Sequence, residues 1–224
     1  MATVLLLRHG RTTANATGEL AGRRPVDLDE TGTGQAKRAG ERLHGLPLAA
    51  IVSSPLKRCR NTVEIALPDA EIIEDDGLIE CGYGDWEGRQ LKDLAKDPLW
   101  PVVQGHPSAA VFPNGEAMAD MSARAIATIR RWDEKITAEH GPDALWLACS
   151  HGDVIKAIVA DALGLHLDQF QRIVADPASI SVIRYTPMRP FVVRVNEGGD
   201  LASLVAPKSA ATDSDAAVGG GAGA

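Results

Sequence analysis

Residues 3–12 read TVLLLRHGRT, an apolar run that ends abruptly in Arg8, His9 and Gly10. A short, continuous apolar run of this kind is typical of a buried strand in a parallel sheet. In open parallel sheets, ligands bind at the carboxyl ends of the strands. The stretch therefore predicts a buried strand over 3–8 that delivers basic residues to a binding edge.

The same pattern recurs twice along the chain, over 48–53 and 144–150. Helical patterns lie between and after these runs, over 32–44, 55–66, 116–139 and about 152–163. Two further runs, 179–185 and 191–196, predict a closing antiparallel hairpin. Alternating strands and helices predict the α/β class: a single-domain, three-layer α/β/α sandwich whose sheet is mainly parallel with an antiparallel edge.

The length of 224 residues suits one large globular domain. We expect residues 1–206 to form that domain. Residues 207–224 contain one bulky aliphatic side chain, and this composition predicts a disordered, low-complexity tail. Residues 97–115 hold four prolines and no clear period, which indicates a long structured loop that can act as a lid.

The net charge of −7 argues against nucleic acid or an anionic membrane as a partner. Residues 8–60 nevertheless carry ten Lys and Arg against five Asp and Glu, which is consistent with a local anion site or with a solvated basic face. We expect no signal peptide and no membrane span. Three widely spaced cysteines suit a reducing compartment, so the expected location is the cytoplasm.

Polar residues follow each of the three predicted strands. Arg8 and His9 end the first, Arg58 follows the second, and His151 follows the third. Each of them alone can equally be structural. Together they predict a pocket for a phosphate dianion, in which a neutral imidazole is a nucleophile towards phosphorus. No metal-ligand spacing competes for the two histidines.

Hydrolysis of a phosphate ester also needs a proton donor for the leaving oxygen, and a carboxylic acid with a raised pKa can supply it. The glycine-rich stretch 78–88, LIECGYGDWEG, offers Glu80 beside aromatic residues. Asp85 and Glu87 are rival acids. The alternative without function is a glycine-rich turn that carries an exposed glutamate.

Taken in order along the chain, these motifs resemble those of the histidine phosphatase superfamily, in its phosphoglycerate-mutase-like branch. The matching motifs are RHGRT at 8–12, SPLKR at 54–58 with Thr62, the acid loop at 80–88, PNGE at 113–116 and SHG at 150–152. The 97–115 loop is most similar to that of actinobacterial members of the superfamily.

The resemblance implies a role for each matching residue. His9 would be the nucleophile that becomes phosphohistidine, and Glu80 would protonate the leaving alcohol and then activate water. Arg8, Arg58 and His151 would hold the phosphoryl oxygens. The residues expected near the phosphate or the substrate are Thr12, Asn15, Gly22, Arg23 and Gly152. No metal and no other cofactor is implied.

The superfamily contains both phosphatases and mutases. Residues 89–115 lack the arginine pair of the glycolytic mutases, which favours a phosphatase acting on a small phosphorylated metabolite. A mutase-type phosphotransferase and a weakly active phosphate-binding protein remain alternatives, and a metallohydrolase is disfavoured. Arg23 and Arg24 hint at a second negative group on the substrate. Asp153 and Lys156 either line the mouth of the pocket or are solvated.

Overall fold

The computed structural model describes residues 1–199 together with Gly219 and Gly221. Its strands are β1 (Thr3–Arg8), β2 (Leu48–Ser53), β3 (Ile73–Glu74), β4 (Leu145–Ser150), β5 (Ile180–Arg184) and β6 (Phe191–Glu197). Its helices are α1 (Thr13–Thr17), α2 (Glu30–Leu43), α3 (Lys57–Ala66), α4 (Leu91–Leu94), α5 (Trp100–Gly105), α6 (Met118–His140) and α7 (Gly152–Ala162). The short strand β3 and the helices α1, α4 and α5 are elements that the sequence patterns did not predict.

The strands form one sheet in the order β3-β2-β4-β1-β5-β6. The pairs β1–β4, β2–β4 and β2–β3 are parallel. β5 pairs antiparallel with β1, and β6 pairs antiparallel with β5. Arg8 lies in register with Ser150, and Ser53 with Cys149, so three carboxyl ends lie side by side. The prediction of a mainly parallel sheet with an antiparallel edge is confirmed.

Alternate residues of the strands enter two separate hydrophobic cores. Leu6 and Trp146 point into a core shared with α6 and α7. Leu7 and Cys149 point into a smaller core that includes side chains of α2 and α3. Burial of one large aliphatic side chain stabilises a fold by about 1.5–3 kcal/mol, so both layers of helices are held to the sheet. The predicted three-layer α/β/α arrangement is confirmed.

Two helices begin at residues other than those predicted. α2 begins at Glu30 and not at residue 32, because Oδ1 of Asp29 caps it by accepting a hydrogen bond from the amide of Gly32 at 2.7 Å. α3 begins at Lys57 and not at Pro55. Ser54 still pairs with β4 through its amide, which leaves Pro55 in the turn between strand and helix.

The proline-rich segment 97–115 is a folded part of the protein that includes α5. Trp100 stacks on Trp86 with their rings 6.0 Å apart, and Phe112 meets the ring of Trp86 edge-on at 5.2 Å. The structured loop is therefore confirmed, with a helix that Pro101 helps to start. The segment packs against the turn that follows Glu80.

Within the described residues, no helix combines the length and the apolar character needed to cross a bilayer. The predicted disordered tail, 207–224, lies outside the described residues apart from Gly219 and Gly221. The domain boundary at residue 206 likewise stays a prediction.

Candidate active site

The sheet brings the predicted histidines and arginines together at the carboxyl edge of β1, β2 and β4. His9 follows β1, His151 caps α7 directly after β4, and Arg58 lies in the first turn of α3. The two imidazole rings lie 5.2 Å apart. His9 borders a cavity of about 400 Å³, whose lining also includes Arg58, Glu80 and Tyr83, whereas His151 is buried behind that lining.

The surroundings of His9 favour a neutral imidazole with a fixed tautomer. Its Nδ1 lies 2.8 Å from the carbonyl oxygen of Gly10, which can only accept, so Nδ1 carries the proton. The lone pair of Nε2 therefore points to Arg58, whose Nε donates to it at 3.3 Å. Burial and the charges of Arg58 and Arg8 hold the pKa of His9 well below its usual value.

Arg58 shares one N–H group between both histidines. Its Nε lies 3.3 Å from Nε2 of His9 and 3.2 Å from Nδ1 of His151. Its outer nitrogens donate to the carbonyls of Gly22 at 2.7 Å and Arg24 at 3.3 Å. The guanidinium is thus anchored from behind and stays directed at both rings.

His151 is buried and is oriented by two neighbours. Since Nδ1 accepts from Arg58, Nε2 carries the proton in the neutral ring and donates to Oγ of Ser54 at 2.8 Å. Burial, then Arg58 and the other nearby charges, hold the pKa of His151 well below its usual value. A bound phosphoryl dianion would oppose both effects and favour the imidazolium form.

Arg8 is fully buried and does not itself line the cavity. Its Nη1 donates to the carbonyl of Ala175 at 2.7 Å, and its Nη2 donates to the carbonyl of Gly221 at 2.7 Å. Burial lowers the pKa of the guanidinium to about 10, so Arg8 remains a cation at neutral pH. A buried cation of this kind favours the binding of an anion.

Glu80 has the properties that a proton donor needs. Its side chain is buried at the cavity wall, and Oε1 accepts from the amide of Cys81 at 3.0 Å. Burial, followed by the charge of Asp153, raises its pKa to about 7, although Arg58 and Arg8 act in the opposite direction. A large fraction of Glu80 is therefore protonated near neutral pH.

The rival acids have other contacts. Oε1 of Glu87 accepts from the backbone amides of Arg23 and Tyr83, both at 3.1 Å. Asp85 accepts from the side-chain amide of Asn114 at 3.0 Å, on the exposed side of the loop. Neither lines the cavity, whereas Glu80 does.

Arg124 of α6 holds the start of the acid loop and the residues just before it in place. It donates to the carbonyls of Gly77 at 3.0 Å, Ile79 at 2.7 Å and Glu80 at 3.1 Å, and it forms an ion pair with Glu116. The sequence patterns did not indicate this role. Arg124 lies among other polar positions of an amphipathic helix, and nothing in that periodicity singles it out.

Of the five residues expected near the phosphate or the substrate, three line the cavity, whereas Arg23 and Gly152 do not. Thr12, Asn15 and Gly22 line the cavity. The side chains of Thr12 and Asn15 form a reciprocal cap at the start of α1, with 2.9 Å between Oγ1 and Oδ1. Gly152 begins α7, so its amide belongs to a helix N-terminus beside His151. Arg23 lies outside the lining.

Arg23 and Arg24, which could bind a second negative group on the substrate, make contacts within the protein instead. Arg23 donates to the carbonyl of Glu80 at 3.0 Å and pairs with Glu116 at 2.9 Å. Arg24 pairs with Glu19. Both guanidinium groups thus neutralise or anchor parts of the protein itself.

Asp153 and Lys156 are buried, which contradicts both readings of them as pocket-mouth or solvated residues. Oδ2 of Asp153 accepts from the hydroxyl of Tyr83 at 2.7 Å, and Lys156 Nζ lies 3.8 Å from Oδ1. The buried charges compensate each other within the first turns of α7. Burial still lowers the pKa of Lys156.

Comparisons with known proteins agree with this geometry. A sequence profile of the histidine phosphatase superfamily (branch 1) matches residues 4–198, so the chain belongs to that superfamily. The resemblance drawn from the motifs is confirmed.

Individual relatives include proteins named as phosphatases and as mutases. Phosphoserine phosphatase 1 of Hydrogenobacter thermophilus is 29% identical over 201 residues, which cover 88% of this chain and 92% of that protein. The probable phosphoglycerate mutase GpmB of Klebsiella pneumoniae is 32% identical over 215 residues, covering 92% and 97%. YhfR of Bacillus stearothermophilus superposes with a TM-score of 0.79 at 27% identity, covering 88% and 98%.

Proposed function

We propose that this member of the histidine phosphatase superfamily hydrolyses phosphoric monoesters of small metabolites through a phosphohistidine on His9. The observation that carries the proposal is the oriented His9 beside Arg58 and Glu80 in one cavity, with the pKa of Glu80 raised to about 7. Fixed cations supply the charge neutralisation that the transferred phosphoryl group requires. We further propose a cytoplasmic location, since the described cysteines are free thiols.

In the first step, Nε2 of His9 attacks phosphorus and an N–P bond forms. The bond from phosphorus to the ester oxygen breaks, and Glu80 gives its proton to that oxygen, so that a neutral alcohol leaves. Arg8, Arg58 and His151 hold the non-bridging oxygens throughout. Nδ1 keeps its proton throughout and donates it to the carbonyl of Gly10, which stabilises the positive charge that develops on the ring.

In the second step, water attacks the phosphorus of the phosphohistidine. Glu80, now a carboxylate, takes a proton from that water as the new P–O bond forms and the N–P bond breaks. Inorganic phosphate leaves, and His9 returns to its neutral form with its lone pair on Nε2. Glu80 is again protonated, so the cycle closes without a net change in the enzyme.

A mutase is the second candidate, because relatives with that name match most of the chain. Hydrolysis is favoured here by the contacts of Arg23 and Arg24. Both are paired with carboxylates of the chain, and a mutase must grip a second anionic group while its substrate turns over. The two functions differ in one observable, since only a mutase exchanges phosphoryl groups between positions when a bisphosphorylated primer is added.

The test is hydrolysis of an aryl phosphate in excess EDTA by the wild-type protein, by His9→Ala and by His44→Ala. His44 is exposed at the end of α2, so its variant controls for loss of a histidine away from the cavity. We expect wild type and His44→Ala to be active in EDTA and His9→Ala to be inactive. Activity that EDTA abolishes, or that survives in His9→Ala, would overturn the proposal.

A further inference from the structure

Two described glycines from the C-terminal part of the sequence, Gly219 and Gly221, lie at the cavity. The backbone carbonyls of Gly219 and Gly221 lie 3.3 Å and 2.7 Å from Nη2 of Arg8. The amide of Gly219 donates to Oδ2 of Asp153 at 3.0 Å. Both glycines line the cavity with His9 and Glu80. The backbone of these two glycines therefore binds a guanidinium nitrogen that the proposed reaction assigns to phosphoryl oxygens.

The contact at Arg8 has the chemistry of a substitute ligand. A carbonyl oxygen and a phosphoryl oxygen are both acceptors, and an N–H group directed at one is withdrawn from the other. The carbonyl is neutral, however, whereas hydrogen bonds between ionised partners are roughly twice as strong. A phosphate dianion can therefore displace the carbonyls of Gly219 and Gly221, and they can return when the product leaves.

Glycine suits this close approach. Gly219 has a φ of +71° and Gly221 a φ of +53°, in the left-handed region that side chains disfavour. A Cβ atom on Gly219 would lie only 3.0 Å from Cδ1 of Leu20, which also lines the cavity. Any larger residue at position 219 would weaken the contact through backbone strain and through crowding.

We infer that the C-terminal segment carrying Gly219 and Gly221 competes with phosphoryl ligands for Arg8, so that the free protein partly occludes its own active site. The inference rests on the proposed function for the identity of the displaced ligand. A competitor within the chain lowers the apparent affinity of every phosphoryl ligand by the same factor. It leaves kcat unchanged, because the segment is displaced from Arg8 once substrate is bound.

The experiment compares the full chain with a chain that ends at residue 218 and with Gly219→Ala. Gly105→Ala is the matched control, because an added Cβ there meets no atom within 4 Å. KM is measured for an aryl phosphate, and Kd is measured for inorganic phosphate by calorimetry. If the segment occupies Arg8 for about nine-tenths of the time, shortening lowers both constants about tenfold. Gly219→Ala shifts both in the same direction, and Gly105→Ala shifts neither.

An unchanged phosphate Kd in the shortened chain would overturn the inference. A fall in kcat on shortening would overturn it too, because a segment that assists the chemistry is not a competitor. The two proposals fail separately, since phosphate binding requires no turnover. A tighter phosphate Kd without hydrolysis by either chain would support the competitor and contradict the phosphatase, and hydrolysis with an unchanged Kd would do the reverse.

Discussion

Glu80 is a carboxyl group that the protein keeps protonated at a pH where most carboxyl groups are ionised. Burial and the neighbouring Asp153 raise its pKa to about 7, against the opposing charges of Arg58 and Arg8. In the proposed reaction, a proton on Glu80 is needed most when the departing alkoxide is a strong base. The same proton matters little for an activated aryl ester, whose phenolate leaves unaided.

Glu80→Gln should therefore discriminate between leaving groups. We expect kcat/KM for alkyl phosphates to fall by a factor of about 10²–10⁴, which is the usual contribution of general acid catalysis. For p-nitrophenyl phosphate, we expect kcat/KM to fall by less than about tenfold. The ratio kcat/KM is the right readout because it reports on steps up to the departure of the alcohol. Asp85→Asn is the control, because Asp85 contacts Asn114 outside the cavity. Equal losses on both ester classes would remove Glu80 as the acid.

At the scale of elements, the acid loop depends on α6 for its position. Arg124 donates to carbonyls of three residues in 77–80, and Glu116 orients the guanidinium. Arg23 binds the carbonyl of Glu80 from the other side. Both arginines bind the backbone carbonyl of Glu80 itself, so they help to set where its carboxyl group lies.

Arg124→Met should lower both stability and proton donation. Several carbonyls lose a charged donor at once, and each such bond is worth about 1.5–3 kcal/mol. We expect a Tm lower by several degrees and a loss of kcat/KM that is at least tenfold larger for alkyl than for aryl phosphates. The control is Arg130→Met on the same helix, α6, which breaks a surface pair with Asp161 of α7 and should change neither by much. A Tm loss with no dependence on the leaving group would make Arg124 a purely structural residue.

At the scale of the whole molecule, the buried titratable groups of the site make the folding stability depend on pH. The pKa of Glu80 is raised in the folded protein from an ordinary value of 4.5 to about 7. The stabilisation linked to its proton is fully present below pH 4.5 and is lost as the pH rises through about 7. The pKa values of His9 and His151 are lowered, so their effect is opposite and destabilises the fold as the pH falls below 6.5.

Glu80→Gln should consequently stabilise the fold in a pH-dependent way. A neutral amide cannot ionise, so the variant avoids a penalty on the order of 3 kcal/mol above pH 7. We expect the difference in Tm, variant minus wild type, to rise by several degrees between pH 5 and pH 8. Glu139→Gln on the exposed end of α6 should give a flat difference. A flat difference for Glu80→Gln as well would contradict its raised pKa.

Most of the fold and the central residues of the site can be predicted from the sequence, because short local patterns indicate them. Runs such as 3–8 and 145–150 are too apolar to be anything but buried strands, and the basic residues that follow them share an edge by topology. Contacts between distant residues leave no such pattern. The bond from Arg8 to Gly221 joins residues far apart in the chain, and the buried pairing of Asp153 with Lys156 looks like a solvated helix start.

The most direct measurement for the central claim is detection of the covalent intermediate. Excess protein is mixed with an aryl phosphate, quenched in alkali within one turnover, and the phosphoryl group is located by mass spectrometry. We predict one phosphoryl group on His9 that forms and decays at the rate of product formation, and none in His9→Ala. Turnover without any phosphohistidine, or with the phosphoryl group on another residue, would contradict the account.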